Sequence, residues 1–416
     1  MSALVNEILS IKIGSRSDIG GQKENQDASW IFKNPLHNFY VIGVLDGHNK
    51  DTGKIVADVA KEYAETFTST NIVLALSDPI KFLESIFEKI QCFIRDTLCN
   101  YWREKGFEIK VEESGVILKK PIDSKYDNWS NISGGTTKSM IMIVGKKMYI
   151  ANVGDSTGLL CTSKPVLKKS FLVYEKDVQE QLMVKSTNLN IENDSNILIL
   201  TSDHSPENPE EYIRIRKQNP STIDPSKPSL SFVYDNNHVI NKLNCTPVFD
   251  IGEDGIPTKR TTGITYYKNV RREPASYIVT PYSSIFSDCL AVTRSLGDFN
   301  LGTYGLSHKP EIQSVDLETV FGASEAFGAS EAIETNASKT ICIVLASDGV
   351  WDNWNYEDVS DFVMYPNCLE KIVKSPETGV QDVTNSFMDR NDLFAKRNFG
   401  QSADNATAII VYITMD

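Results

Sequence analysis

Four aspartates in this chain stand where strand-like apolar runs end, and their placement is the first feature with chemical content. Asp46 follows Val41–Leu45, Asp155 follows Tyr149–Gly154, Asp348 follows Ile341–Ser347, and Asp404 precedes Ala406–Val411. A carboxylate at the mouth of an apolar strand is costly to keep charged unless a cation or hydrogen bonds offset it. A single one is ordinarily a turn or helix-cap residue. Four, two of them followed by glycine (Gly47 and Gly349), resist that reading. Carboxylates clustered without His or Cys partners suit hard, oxygen-seeking ions, Mg²⁺ or Mn²⁺ rather than Zn²⁺. Glycine beside a ligand lets the backbone come close enough to offer its carbonyl. His48, two residues beyond Asp46, is the histidine tied to this set. Near neutral pH an imidazole is a natural proton donor to a leaving group.

Composition narrows the alternatives. With 416 residues and 41% hydrophobic content the chain can bury a sizeable core. A net charge of −13 argues against a nucleic-acid binder, which needs a basic stripe, and against an electrostatic membrane anchor. No run approaches the ~18 apolar residues of a membrane span, and the first residues lack a signal peptide's basic and apolar regions. The seven cysteines include no C-x-x-C pair, and the five histidines no H-E-x-x-H spacing. The expectation is a soluble monomer of the cytoplasm or nucleus, with neither disulfide framework nor zinc site. P-loop and nucleophile-elbow motifs are also missing from the sequence.

The elements that must position the aspartates are legible in outline. Residues 38–45 read as a buried strand, and apolar spacing predicts helices over 52–67 and from Asp78-Pro79 to about Leu98. Lys138–Val144 and Met148–Val153 read as a hairpin with a three-residue connection. Further strands are expected at 197–201, 341–346 and 406–413, with helices at 356–363 and 377–396. Strands and helices fall into runs more than they alternate, which favours α+β with mostly antiparallel sheets. Because core strands spread from residue 39 to 413, one catalytic domain is expected over 1–416. Two insertions are expected within it. One is 217–285, polar and Pro-rich but with strand-like runs at Ser231–Tyr234 and Ile264–Tyr267. The other is 321–332, where Phe-Gly-Ala-Ser-Glu-Ala occurs twice in tandem and reads as a loop expansion.

The motifs occur in an order that resembles the metal-dependent Ser/Thr protein phosphatases of type 2C (PPM). The series runs from Gly21–Ala28 through Leu45-Asp46-Gly47-His48 and Ser133–Thr137 to Ala151–Ser156. It continues with Leu200–Pro206 and Glu211…Arg214-Ile215, then Leu290–Asp298, Ala346–Asp352 and Asp404–Thr407. The resemblance implies two mostly antiparallel sheets forming a central sandwich flanked by helices, with a binuclear Mg²⁺ or Mn²⁺ site at one end. By matching positions, Asp46 would bridge two ions, the Gly47 carbonyl would bind one, and Asp348 and Asp404 would complete its shell. Gln26 and Asp27 fall at the second metal, while Asp155 and Asp352 match positions that hold a looser third ion. The implied chemistry is attack of a metal-activated water on the phosphorus of phosphoserine or phosphothreonine in protein substrates, with His48 protonating the departing oxygen.

Two departures bear on this. Gln26 stands where many members have Glu, so the second ion gains an oxygen without a charge. Gln22, beside Lys23, stands where the family grips phosphate with Arg, and neither offers a bidentate fork. They keep open a pseudophosphatase, the same fold used as a binding or scaffolding module, although the set Asp46, Gly47, His48, Asp348 and Asp404 opposes it. Hydrolysis of another phosphoester is a third reading. In the 217–285 insertion, Lys259, Arg260, Lys268, Arg271 and Arg272 form a basic group with two readings, a solvated loop with no role or a basic flap that helps hold an anionic substrate beside the cleft.

Overall fold

The strand Phe39–His48 buries both of its faces, and each finds a different partner. Phe39, Val41 and Leu45 pack among Val56, Ala60, Phe82, Ile86 and Ile90 of the helices Gly53–Thr70 and Pro79–Glu104. Tyr40, Ile42 and Val44 pack instead among Ile341, Ile343, Ile409 and Val411 of a second sheet. Alternation along one pleated strand therefore fixes three layers at once. The fourth layer covers the second sheet's far face: Val344, Ala408 and Ile410 meet Val359, Val363, Val383 and Phe387 of the helices Tyr356–Val363 and Gly379–Asn398.

The computed structural model describes residues 9–176, 194–217, 229–235, 245–252, 256–328, 340–375 and 378–415. Among these, one sheet has five strands in the order Leu9–Asp18, Ala406–Met415, Thr340–Ala346, Thr157–Cys161, Ile197–Ile199. The other has eight and is centred on Glu311–Asp316, Lys147–Val153, Lys138–Val144 and Phe39–His48, with Asp27–Asn34 also pairing to Phe39–His48. Neighbouring strands in both are antiparallel. The α+β sandwich expected from the sequence is the fold observed.

Several expectations need correcting. Val144 pairs with Lys147, so the hairpin connection is two residues, and Gly145 at φ 60° supplies the left-handed turn such a tight loop demands. Ser231–Tyr234 is a strand, but 264–267 is not: only Tyr267 pairs, by a single bridge to Pro274. The first copy of the tandem repeat is helical rather than a loop, within Leu317–Gly328, because Val320 and Phe321 bury against the sandwich core. Residues 329–332 lie outside the described residues, as do 218–228, 236–244 and 253–255 of the longer insertion. The strands Leu9–Asp18 and Asp27–Asn34 and the helix Pro366–Lys374 were not expected.

Candidate active site

One end of the sandwich collects the aspartates because the two sheets deliver them there by register. Asp46 lies inside its strand, not beyond it, and pairs directly with Asp27, the first residue of Asp27–Asn34. From the other sheet, Ser347 and Asp348 follow Thr340–Ala346, and Asp404 and Asn405 precede Ala406–Met415. Residues 154–156 carry Asp155 across from the strand Lys147–Val153 of one sheet to Thr157–Cys161 of the other.

Hydroxyls and amides stitch this mouth together. The Ser347 hydroxyl accepts from the Thr407 amide at 2.9 Å and donates to Asp27 at 2.7 Å, joining the two sheets. Thr137 accepts from the Asp46 amide at 3.1 Å, and its own amide donates to the Asp46 carbonyl at 2.9 Å. Asn405 accepts from the Gln26 amide at 2.8 Å and donates to the Ile19 and Glu24 carbonyls, lashing residues 19–26 to the segment holding Asp404. Gly349 has to be glycine here, since a Cβ would sit 2.0 Å from the Asn405 carbonyl oxygen.

The electrostatics of the mouth are unbalanced. Burial, then the charges of Asp348, Asp27 and Asp404, push the Asp46 carboxyl well above its ordinary range. Burial, then Asp155, Asp352 and Asp404, do the same to Asp348. Burial lifts Asp27 to about 7 against its hydrogen bond from Ser347, and desolvation raises Asp404, which faces solvent at the rim. Two oxygens, Asp27 Oδ1 and Asp348 Oδ1, are buried without a hydrogen-bond partner. Crowded like charges and orphaned oxygens are the signature of a site shaped for a cation. No group of three or more His, Cys, Asp or Glu among the described residues is arranged to hold a metal by itself. A hard ion such as Mg²⁺ does not require one, because it keeps several waters and takes one or two carboxylates plus carbonyls. The donor set fits divalent metal on those terms.

His48 faces the mouth from the strand that carries Asp46. Its Nε2 lies 2.6 Å from Asp298 Oδ2 and 3.5 Å from the Ser295 hydroxyl, which itself donates to Asp298 at 2.7 Å. Burial pulls the imidazole pKa down, but the charge and hydrogen bond of Asp298 outweigh it and hold it above the ordinary value. The imidazolium form is thus favoured relative to that of a free histidine. Sequence reasoning assigned Asp298 no role. It closes the motif Leu290–Asp298, and the structure places it in left-handed backbone (φ 44°) just before the short helix Phe299–Gly302.

The remaining predicted residues divide. Gln26 is drawn in, its amide donating to the Asn49 carbonyl at 3.0 Å. Gln22 is exposed and donates to the Ala403 carbonyl at 3.3 Å, beside Asp404, while Lys23 is exposed at the rim. Asp155 and Asp352 lie together on the inner wall, Asp352 lifted to about 7 by burial against the charge of Lys268. Asp203, which no reading singled out, joins them. The basic insertion departs from expectation: Arg271 binds Glu273 and the Trp351 and Trp354 carbonyls and stacks over Tyr356, Arg260 pairs with Asp250, and Lys259 with Glu207. Arg271 is a structural anchor rather than a hand for substrate; Arg272 alone of that arginine pair is exposed.

A family model, "Protein phosphatase 2C", matches residues 104–181 and 275–371, bracketing most of the insertion. Two Arabidopsis thaliana proteins share local identity. "Probable protein phosphatase 2C 28" is 29% identical over 153 residues, covering 36% of this chain and 34% of its own length. "Probable protein phosphatase 2C 35" is 28% identical over 141 residues, 33% and 31% respectively. The matched stretch thus spans about a third of these relatives. Among solved structures, the serine-threonine phosphatase 2C of Toxoplasma gondii has the same fold, with a TM-score of 0.52 at 16% identity over 97% of this chain and 94% of that one. With the acidic mouth, His48 and the ordered motifs in place on that fold, the chain is similar to the protein phosphatase 2C family over residues 104–181 and 275–371 and shares the fold of a member of it.

Proposed function

We propose that this protein is a metal-dependent phosphatase that hydrolyses phosphoserine and phosphothreonine in proteins. The observation that carries the reading is the convergence of Asp27, Asp46, Asp348 and Asp404, with two orphaned oxygens, beside an imidazole paired to Asp298 at 2.6 Å. Asp46, the Gly47 carbonyl, Asp348 and Asp404 would hold one Mg²⁺ or Mn²⁺, and Asp46 with Asp27 and Gln26 a second. Such ions, when bound, supply Lewis acidity that makes water nucleophilic at neutral pH and offsets phosphoryl charge.

The chain's own groups do the rest. Thr137 and Ser347 fix Asp46 and Asp27, so the carboxylates are preorganised rather than recruited. His48, as imidazolium, would donate its proton to the departing serine or threonine oxygen, and Asp298, 2.6 Å away, orients the ring and favours its charged form. Lys23, at the rim beside Gln22, offers a point charge to the phosphate. A scaffolding module would have no use for an imidazole paired to an aspartate beside orphaned carboxylate oxygens. The proposed setting, a monomer in the cytoplasm or nucleus, rests on composition alone. Hydrolysis of a phosphoserine or phosphothreonine peptide is measured against Mn²⁺ and Mg²⁺ concentration. Activity that rises with either ion and vanishes in EDTA supports the reading; undiminished turnover in EDTA, or none at any metal level, overturns it.

A further inference from the structure

The inner wall of the site already holds a positive charge that belongs to the chain. Lys268 Nζ lies 3.8 Å from Asp155 Oδ2, with the Lys268 side chain 27% exposed and that of Asp155 8%. Asp203, Asp352 and Glu273 also act on it at close range. Asp155 and Asp352 are the two positions that the family resemblance assigns to a loosely held third ion. An ammonium this close to Asp155 competes with a divalent cation for the same carboxylate.

The delivery of Lys268 does not depend on its own charge. Residues 268–273 form a closed turn, the Lys268 amide donating to the Glu273 carbonyl at 2.8 Å and the Asn269 side chain to Glu273 at 2.6 Å. That turn is pinned to the stretch containing Asp352 at two points. The Val270 amide donates to the Asp352 carbonyl at 3.1 Å, and Arg271 donates to the Trp351 and Trp354 carbonyls. Arg271 is in turn matched by Glu273, at 3.0 Å. Of the cations in the turn, Lys268 is the one aimed at the aspartates. A group tethered in this way acts at an effective concentration on the order of millimolar or above, enough to displace an ion that binds weakly.

We propose that Lys268 is a tethered cation that fills the corner of Asp155, Asp203 and Asp352 in place of a third divalent ion, leaving two exchangeable metals at the mouth. The inference rests on the metal-dependent reading above and assigns the insertion a purpose: it carries a permanent counter-charge into the site. Lys268 is a positioning residue for the acidic wall, and its charge, not its bulk, is what matters.

The test counts ions rather than turnover. Mn²⁺ alone is titrated into the full chain, with bound ions counted from the free-ion electron paramagnetic resonance signal and by calorimetry, for wild type, Lys268→Met, Lys268→Gln and Lys268→Arg. Wild type and Lys268→Arg should bind two ions, and Lys268→Met and Lys268→Gln a third, weaker one. Three ions in the wild type, an unchanged count in both neutral variants, or a third ion in Lys268→Arg would overturn the proposal. No Mn²⁺ bound by any of the four would remove the metal-dependent reading itself, and this inference with it.

Discussion

Glu211 and Asp46 are both carboxylates withdrawn from bulk water, and the protein treats them in opposite ways. Glu211 receives Arg214 at 2.8 and 3.0 Å, Arg294 at 2.7 and 3.1 Å, and the Thr293 hydroxyl at 2.8 Å. Burial would raise its pKa, but the two guanidinium groups prevail and hold it well below the carboxylate range. This cluster joins the helix Pro209–Lys217 to the segment before Asp298, since Arg214 also donates to the Thr293 and Gly305 carbonyls. Asp46 has no such partner and is surrounded by its own kind. Balanced buried charge is architecture; unbalanced buried charge implies something that arrives from outside.

The sharpest way to break the contrast is to neutralise a member of the unbalanced set. Asp46→Asn should lower phosphopeptide turnover by several orders of magnitude and yet raise the melting temperature in EDTA, because like-charge repulsion is relieved. A melting temperature that falls along with activity would mean Asp46 is structural. In the balanced set the sign reverses. Glu211→Ala leaves two buried guanidinium groups uncompensated and should cost about 3–5 kcal/mol in a denaturant titration. A loss below ~1 kcal/mol, no more than a surface pair is worth, would show that the cluster is not a clamp.

A third case extends the rule into the core. Lys138 is fully buried against the rings of Trp30 and Phe87, its Nζ has no hydrogen-bond partner, and burial lowers its pKa to about 7. The folded state therefore binds fewer protons than the unfolded state between about pH 7 and 10.5, so this group adds stability as pH rises through that window. Lys138→Met should stabilise the protein at pH 7 by ~1–4 kcal/mol and flatten the rise, both readable from melts at several pH values. Equal stability of the two proteins at pH 7 would mean the ammonium has found a partner.

A further test uses pH alone. Asp27 and Asp352, at about 7 when folded against 3.8 ordinarily, bind more protons folded than unfolded. In EDTA, stability should therefore fall as pH rises from about 4 to 7, the opposite slope to that from Lys138 at higher pH. Saturating Mn²⁺ should abolish the fall. A slope that metal does not change would separate these carboxyls from any ion site.

What the sequence showed and hid follows from range. The helix Tyr356–Val363 and the strand Ser231–Tyr234 have the expected bounds because their periodicity is local. Asp46, Asp348 and Asp404 were legible because each abuts an apolar run. Leu9–Asp18 was missed: its exposed and half-buried positions carry a weak pattern, and its partner in the sheet is the distant Ala406–Met415. Arg271 was misread because its principal partners are main-chain carbonyls of Trp351 and Trp354, which carry no sequence signal. Lys268 and Asp155 are far apart in the chain, and only the fold of the insertion reveals that they meet.

The pairing of Leu9–Asp18 with Ala406–Met415 also bears on synthesis. Asp27 and Asp46 leave the ribosome long before Asn405, which ties residues 19–26 to Asp404. At ~5–20 residues per second, the early half of the acidic mouth waits on the order of tens of seconds for the late half. During that interval the acidic mouth is incomplete. A ribosome that stalls before residue 404 therefore leaves Asp27 and Asp46 without the carboxylate of Asp404 and the ties of Asn405.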